Sequence, residues 1–86
     1  MATNQFPSSA ELMAAVILAL KTLGGAGENQ QILRQVIADL KLTESQINQI
    51  HSGTRTELEY RLAWARTNAK KKGLITSNGR NNWSLV

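Results

Sequence analysis

Apolar residues recur at helical spacing in four stretches of the chain, and polar runs separate them. Leu12, Val16, Leu20 and Leu23 form one stripe, widened by Met13 and Ile17. Ile32, Leu33, Val36, Ile37 and Leu40 form a second across Glu28 to Leu40, and Ile47 with Ile50 mark a short third helix. At 100° per residue, Leu58, Leu62, Ala65 and Ala69 fall within about 60° of arc, which gives the fourth and longest helix a single core face. Thr56, Glu59, Tyr60, Ala63, Thr67, Lys70 and Lys71 lie broadly opposite that face.

The start and stop signals agree with this division. Ser8 with Glu11, Thr43 with Gln46 and Thr54 with Glu57 each have the spacing of a capping box, in which two side chains satisfy each other's free backbone N–H groups. They predict starts for the first, third and fourth helices. Gly24-Gly25 ends the first helix and Gly73 the last, since glycine takes the left-handed conformation that commonly closes a helix. Beyond Gly73 the pattern shortens to two strand-like runs, Leu74 to Thr76 and Trp83 to Leu85. Asn78-Gly79 between them favours the positive φ values of a hairpin turn. A third short strand is expected near Gly25 to Glu28. The fold class this predicts is mainly α with a small β-ribbon, the winged helix-turn-helix order, with residues 1–6 as a flexible N-terminus and 7–86 as one winged-helix DNA-binding domain.

Composition narrows the alternatives. A chain of 86 residues supports one small core, and its 42% apolar content suits a globular fold. Cysteine is absent, so packing alone holds the core and a reducing cytoplasm is the expected location. No run reaches the roughly 18 apolar residues that a bilayer requires, so no membrane partner is expected.

The net charge of +4 is unevenly placed. Residues 1–50 carry three Lys and Arg against four acidic residues, for −1, whereas residues 51–86 carry seven against two, for +5. A positive excess confined to the last helix and hairpin is what a polyanion-binding face requires, because each neutralised phosphate releases counterions.

Several chemistry-bearing residues have ordinary structural roles. His51 has no partner at metal-ligand spacing, so it reads as a loop or satisfied histidine. Gly24-Gly25-Ala26-Gly27 lacks the lysine and hydroxyl of a phosphate loop and reads as a turn. No nucleophile stands at a spacing that marks a base, so no catalytic residue, cofactor or metal is expected. Trp64 and Trp83 read as packing residues, buried as the hairpin folds onto the helix. Arg61 reads as a structural partner of a carboxylate.

The expected DNA-binding residues are Arg55, Thr56, Glu59, Tyr60, Arg66, Lys70, Lys71, Lys72, Arg80 and Asn81. Arg55, Thr56, Glu59 and Tyr60 stand on the first turns of the long helix, where Arg suits guanine, Glu suits cytosine N4, and Thr or Tyr suits a methyl group. Arg66 and the three lysines suit phosphates, and Arg80 with Asn81 occupies the wing tip, where an arginine suits the negative minor groove.

Pro7-Ser8-Ser9-Ala10-Glu11-Leu12-Met13, Arg61-Leu62-Ala63-Trp64-Ala65-Arg66-Thr67, Lys71-Lys72-Gly73-Leu74-Ile75 and the closing Arg80, Trp83 and Leu85 together resemble the N-terminal winged-helix domain of Mrr-type restriction proteins. The resemblance covers nearly all of the chain from Pro7. It implies double-stranded DNA as partner, methylated DNA included, on behalf of a bacterial nuclease that cuts modified DNA. Such proteins carry a larger nuclease domain after the winged helix, so cleavage is expected from another region or chain. Two departures stand out: Asn68 replaces a larger apolar residue, and Gly79-Arg80 reverses the common Arg-Gly order. A protein-interaction or dimerisation module, anchored on Tyr60, Trp64 and Trp83, is the alternative, and a homodimer is compatible with either reading.

Overall fold

A computed structural model of the protein describes residues 6–86. The flexibility expected of Met1 to Phe6 therefore falls, apart from Phe6, outside the described residues. The elements follow in the order α1 (Ser9–Thr22), β1 (Ala26–Glu28), α2 (Asn29–Leu40), α3 (Glu44–Asn48), β2 (Ile50–Ser52), β3 (Arg55–Thr56), α4 (Glu57–Lys71), β4 (Ile75–Ser77) and β5 (Asn82–Leu85).

Two of the expected capping boxes form. Ser8 Oγ accepts from the Glu11 N–H at 3.1 Å while Glu11 Oε1 accepts from the Ser8 N–H at 2.9 Å. Thr43 and Gln46 make the same exchange at 3.2 and 2.8 Å. The box expected at Thr54 and Glu57 forms instead two residues later, between Thr56 and Glu59. The cause is a small hairpin that the sequence reading missed. Ile50 pairs with Thr56 and Ser52 with Arg55, so Arg55 and Thr56 are held extended and helix α4 cannot begin before Glu57. Ile50, expected on the third helix, lies on β2 and is 58% exposed.

The core joins the stripes read from the sequence. Leu12, Val16 and Leu20 of α1, Ile32 and Val36 of α2, and Leu58 and Leu62 of α4 are buried, together with Ile75 of β4. Each such side chain contributes ~1.5–3 kcal/mol over its exposed state. Ala15 and Ala19 face the core from α1, as Ala65 and Ala69 do from α4, and small side chains there let the two helices pack closely. Phe6 lies against the edge of this core.

The expected third strand is present. β5 lies between β1 and β4, antiparallel to both, with Gly27 opposite Trp83 and Ile75 opposite Leu85. Gly73 has φ 74° and closes α4. In the hairpin loop the positive φ values belong to Gly79 (112°) and Asn81 (61°), not to Asn78. The loop closes through the Asn78 N–H, which donates to the Asn82 carbonyl at 2.9 Å. The fold is mainly helical, as the hydrophobic pattern predicts, with the expected small sheet at the C-terminal hairpin and a second, unexpected one formed by β2 and β3.

Candidate nucleic-acid interface

Strand β3, the outer side of α4 and the β4–β5 hairpin hold the candidate residues, and local structure assigns them different freedoms. Thr56 is the N-cap of α4, with its Oγ1 accepting from the Glu59 N–H at 3.2 Å. Glu59 Oε1 accepts from the Thr56 N–H at 3.0 Å and from Thr56 Oγ1–H at 3.1 Å. Thr56 and one oxygen of Glu59 are thus occupied by the helix start. Arg55 stands on β3 before the helix, not on its first turn, and is exposed.

Tyr60 is held in place by its neighbours. The His51 ring stacks on it, with centroids 3.9 Å apart and planes 11° from parallel, and the Arg55 guanidinium carbon lies 5.8 Å from the Tyr60 centroid. His51 Nδ1 is 2.8 Å from Glu57 Oε1, and Arg61 Nε donates to Glu57 Oε2 at 2.6 Å. His51 is therefore a satisfied histidine, and Arg61 partners a carboxylate as expected. These contacts hold the Glu57 carboxyl below its ordinary range, Arg61 contributing most and His51 next.

Arg66 is half-buried beside the wing. Its guanidinium carbon lies 5.8 Å from the Trp83 ring centroid, and its Nε is buried without a hydrogen-bond partner among the described residues. Burial, and after it the charge of Arg55, pulls the Arg66 pKa down. Lys70, Lys71, Lys72 and Arg80 are exposed. Among the described residues the ion pairs are Glu57 with Arg61 and Glu57 with His51, so none of these four cations, nor Arg55 or Arg66, is neutralised by one.

The hairpin is fastened to α2 by a residue that sequence reading did not single out. Asn29 Oδ1 accepts from Trp83 Nε1–H at 2.7 Å, Asn29 Nδ2 donates to Asn81 Oδ1 at 3.3 Å, and the Asn29 N–H donates to the Asn81 carbonyl at 2.9 Å. Asn81 thereby faces α2 with its side-chain oxygen and its carbonyl. No local signal marks Asn29, because its partners stand 52 and 54 residues away.

Trp64 departs from expectation. It is 51% exposed, whereas Trp83 is partly buried against the core. The hairpin lies along the Arg66 flank of α4, and on the helical wheel Trp64 projects roughly 160° from Arg66, so no strand can reach it. Trp64 instead borders a shallow groove of about 360 Å³ shared with Ser9, Leu12, Tyr60, Arg61 and Asn68. A second cleft, of about 310 Å³, opens between α2 and α4 and is lined by Asn29, Gln30, Leu33, Thr54, Arg55, Glu59, Leu62 and Arg66.

Among the described residues, no group of three or more His, Cys, Asp and Glu side chains could hold a metal ion, and no helix is long and apolar enough to cross a membrane. Helices α1 to α3 lead into a long α4 that is followed directly by a hairpin paired with β1, an arrangement compatible with a winged helix-turn-helix. The sequence profile described as the Mrr N-terminal domain matches residues 10–86, and the chain belongs to that family of restriction-system-associated domains. No curated protein and no solved structure matches the chain.

Proposed function

We propose that the chain is a non-enzymatic recognition module that binds double-stranded DNA for a restriction system acting on modified, including methylated, DNA. The outward face of α4 enters the major groove through Tyr60, Ala63 and Thr67, with the free oxygen of Glu59 beside them. Lys70, Lys71 and Lys72 meet phosphates at the far end of the helix, and Arg80 meets the backbone from the wing. Cleavage then belongs to a nuclease domain or a partner chain.

One observation supports this reading above the others. The two acidic side chains of α4 are engaged, Glu57 by Arg61 and His51 and Glu59 by the helix cap, while among the described residues Arg66, Lys70, Lys71 and Lys72 on the same helix and Arg80 on the wing form no ion pair. A net-positive surface is left without internal compensation. Ordinary helix chemistry accounts for the lysines at a helix C-terminus but not for Arg80 at the wing tip.

Titrating a duplex at increasing salt tests the reading. The log–log slope of affinity against salt should be about −3 to −5, from roughly −0.9 per phosphate neutralised. No binding at low salt would remove DNA as the partner. Arg80→Ala should weaken binding without lowering Tm, and comparing methylated with unmodified duplexes tests the modification.

The exposed Trp64 beside Tyr60 favours a second reading, a protein-docking or self-association surface. Loss of self-association in Trp64→Ala with duplex affinity intact would support it.

A further inference from the structure

The cleft between α2 and α4 contains two arginines and no acid that pairs with either. Arg55 and Arg66 both line it, and among the described residues neither forms an ion pair. Arg66 Nε is buried with no acceptor among the described residues. A guanidinium cannot shed its charge to escape this, so an unsatisfied buried donor is costly unless an acceptor arrives from outside. The positive charge of Arg55 adds to the demand for an anion at Arg66. Glu59, the acid on the cleft wall, already accepts two hydrogen bonds from Thr56 through one oxygen.

We propose that this cleft seats one phosphate group of the DNA backbone, held jointly by Arg55 and Arg66. The proposal rests on the DNA-binding reading above and deepens it, moving Arg55 from base contact to phosphate contact. Two features of the walls select this ligand. None of the lining residues is aromatic, so an extruded base would find no stacking surface, whereas planar guanidinium donors match phosphate oxygens. The first turn of α2 also borders the cleft, where Gln30 adds a side-chain amide to the wall, the Glu28 cap and the Asn29 N–H being engaged at the helix start. Asn29 is fixed by the Trp83 indole, and the Arg66 guanidinium lies near the same ring, so the wing sets the position of the seat.

A shared phosphate predicts a particular arithmetic. Arg55→Gln and Arg66→Gln should each weaken duplex binding, and the double variant should lose less than the product of the two. The double variant should flatten the salt slope by only about 0.9 in total, the value for one phosphate. A loss of about 1.8, with multiplicative losses in affinity, would mean two separate phosphates and overturn the shared seat while leaving DNA binding intact. Arg66→Lys keeps the charge and tests the site if Arg66→Gln does not fold.

Inorganic phosphate provides an independent readout on the unaltered protein. It should shift the NMR signals of Arg66 Nε–H and Trp83 Nε1–H saturably, chloride at equal ionic strength should not, and Arg55→Gln should weaken the effect. An absence of shift overturns the seat. Saturable shifts in a protein that binds no duplex overturn DNA as the phosphate source and assign the cleft to free phosphate, an outcome distinct from failure of the seat itself.

Discussion

The two tryptophans of this chain divide its last third into a closed flank and an open one. Trp83, on the return strand of the hairpin, is partly buried, donates to Asn29 and has the Arg66 guanidinium near its ring. Trp64, on the same long helix as Arg66, is half exposed beside a shallow groove. Both carry the same large aromatic side chain, so their difference does not come from its hydrophobicity. It comes from geometry: one hairpin can cover one flank of a helix, and its pairing with β1 fixes which. A side chain's role here is set by the element that arrives beside it: the hairpin packs Trp83, while Trp64 stays available to a partner.

The largest expected effect breaks this comparison directly. Trp83→Ala removes partly buried ring surface and the indole donor to Asn29, and should cost about 2 kcal/mol or more, below the 3–5 kcal/mol typical of a fully buried aromatic. Trp64→Ala should change stability by no more than about 0.5 kcal/mol, as surface substitutions do. Denaturant unfolding of both variants measures the contrast. Equal losses would mean that the open flank is covered in solution.

A smaller effect separates two threonines. Thr56→Ala removes the cap of α4 and should cost about 1 kcal/mol, while Thr54→Ala, in the turn between β2 and β3, should stay within about 0.5 kcal/mol. The reverse order would return the helix start to Thr54.

These substitutions mark what was legible in the sequence. The stripe of Leu58, Leu62, Ala65 and Ala69 was readable because helical periodicity is local, and all four residues are buried. Gly73 was readable because few residues tolerate its backbone conformation. Thr54 was mistaken for Thr56 because both precede a glutamate by three residues, and only the pairing of Ile50 with Thr56 decides between them. Within the candidate interface, charge placement was legible in the run Lys70 to Lys72 and at Arg80. Asn29 and the Arg55–Arg66 cleft were not, since they arise from contacts between α2, α4 and the wing that no spacing records.

The smallest effect concerns the pair that borders the open flank. Glu57 accepts from Arg61, whose guanidinium carbon also lies 4.9 Å from the Phe6 ring centroid, so Arg61 has an electrostatic role and a packing role. The folded-state pKa of Glu57 is depressed below its ordinary value near 4.5, chiefly by the Arg61 hydrogen bond. A depressed carboxyl stabilises the fold above its unfolded pKa, and that contribution is lost as pH falls through the folded value. Arg61→Gln should therefore lower Tm slightly near neutral pH, and the gap from the unaltered protein should narrow as pH falls below about 4.5. Whatever part of the gap survives in acid measures Arg61 on Phe6, because the cation and ring do not titrate there. A gap constant across pH would assign Arg61 wholly to packing, and the open flank would then be held by contacts of the same kind as the closed one.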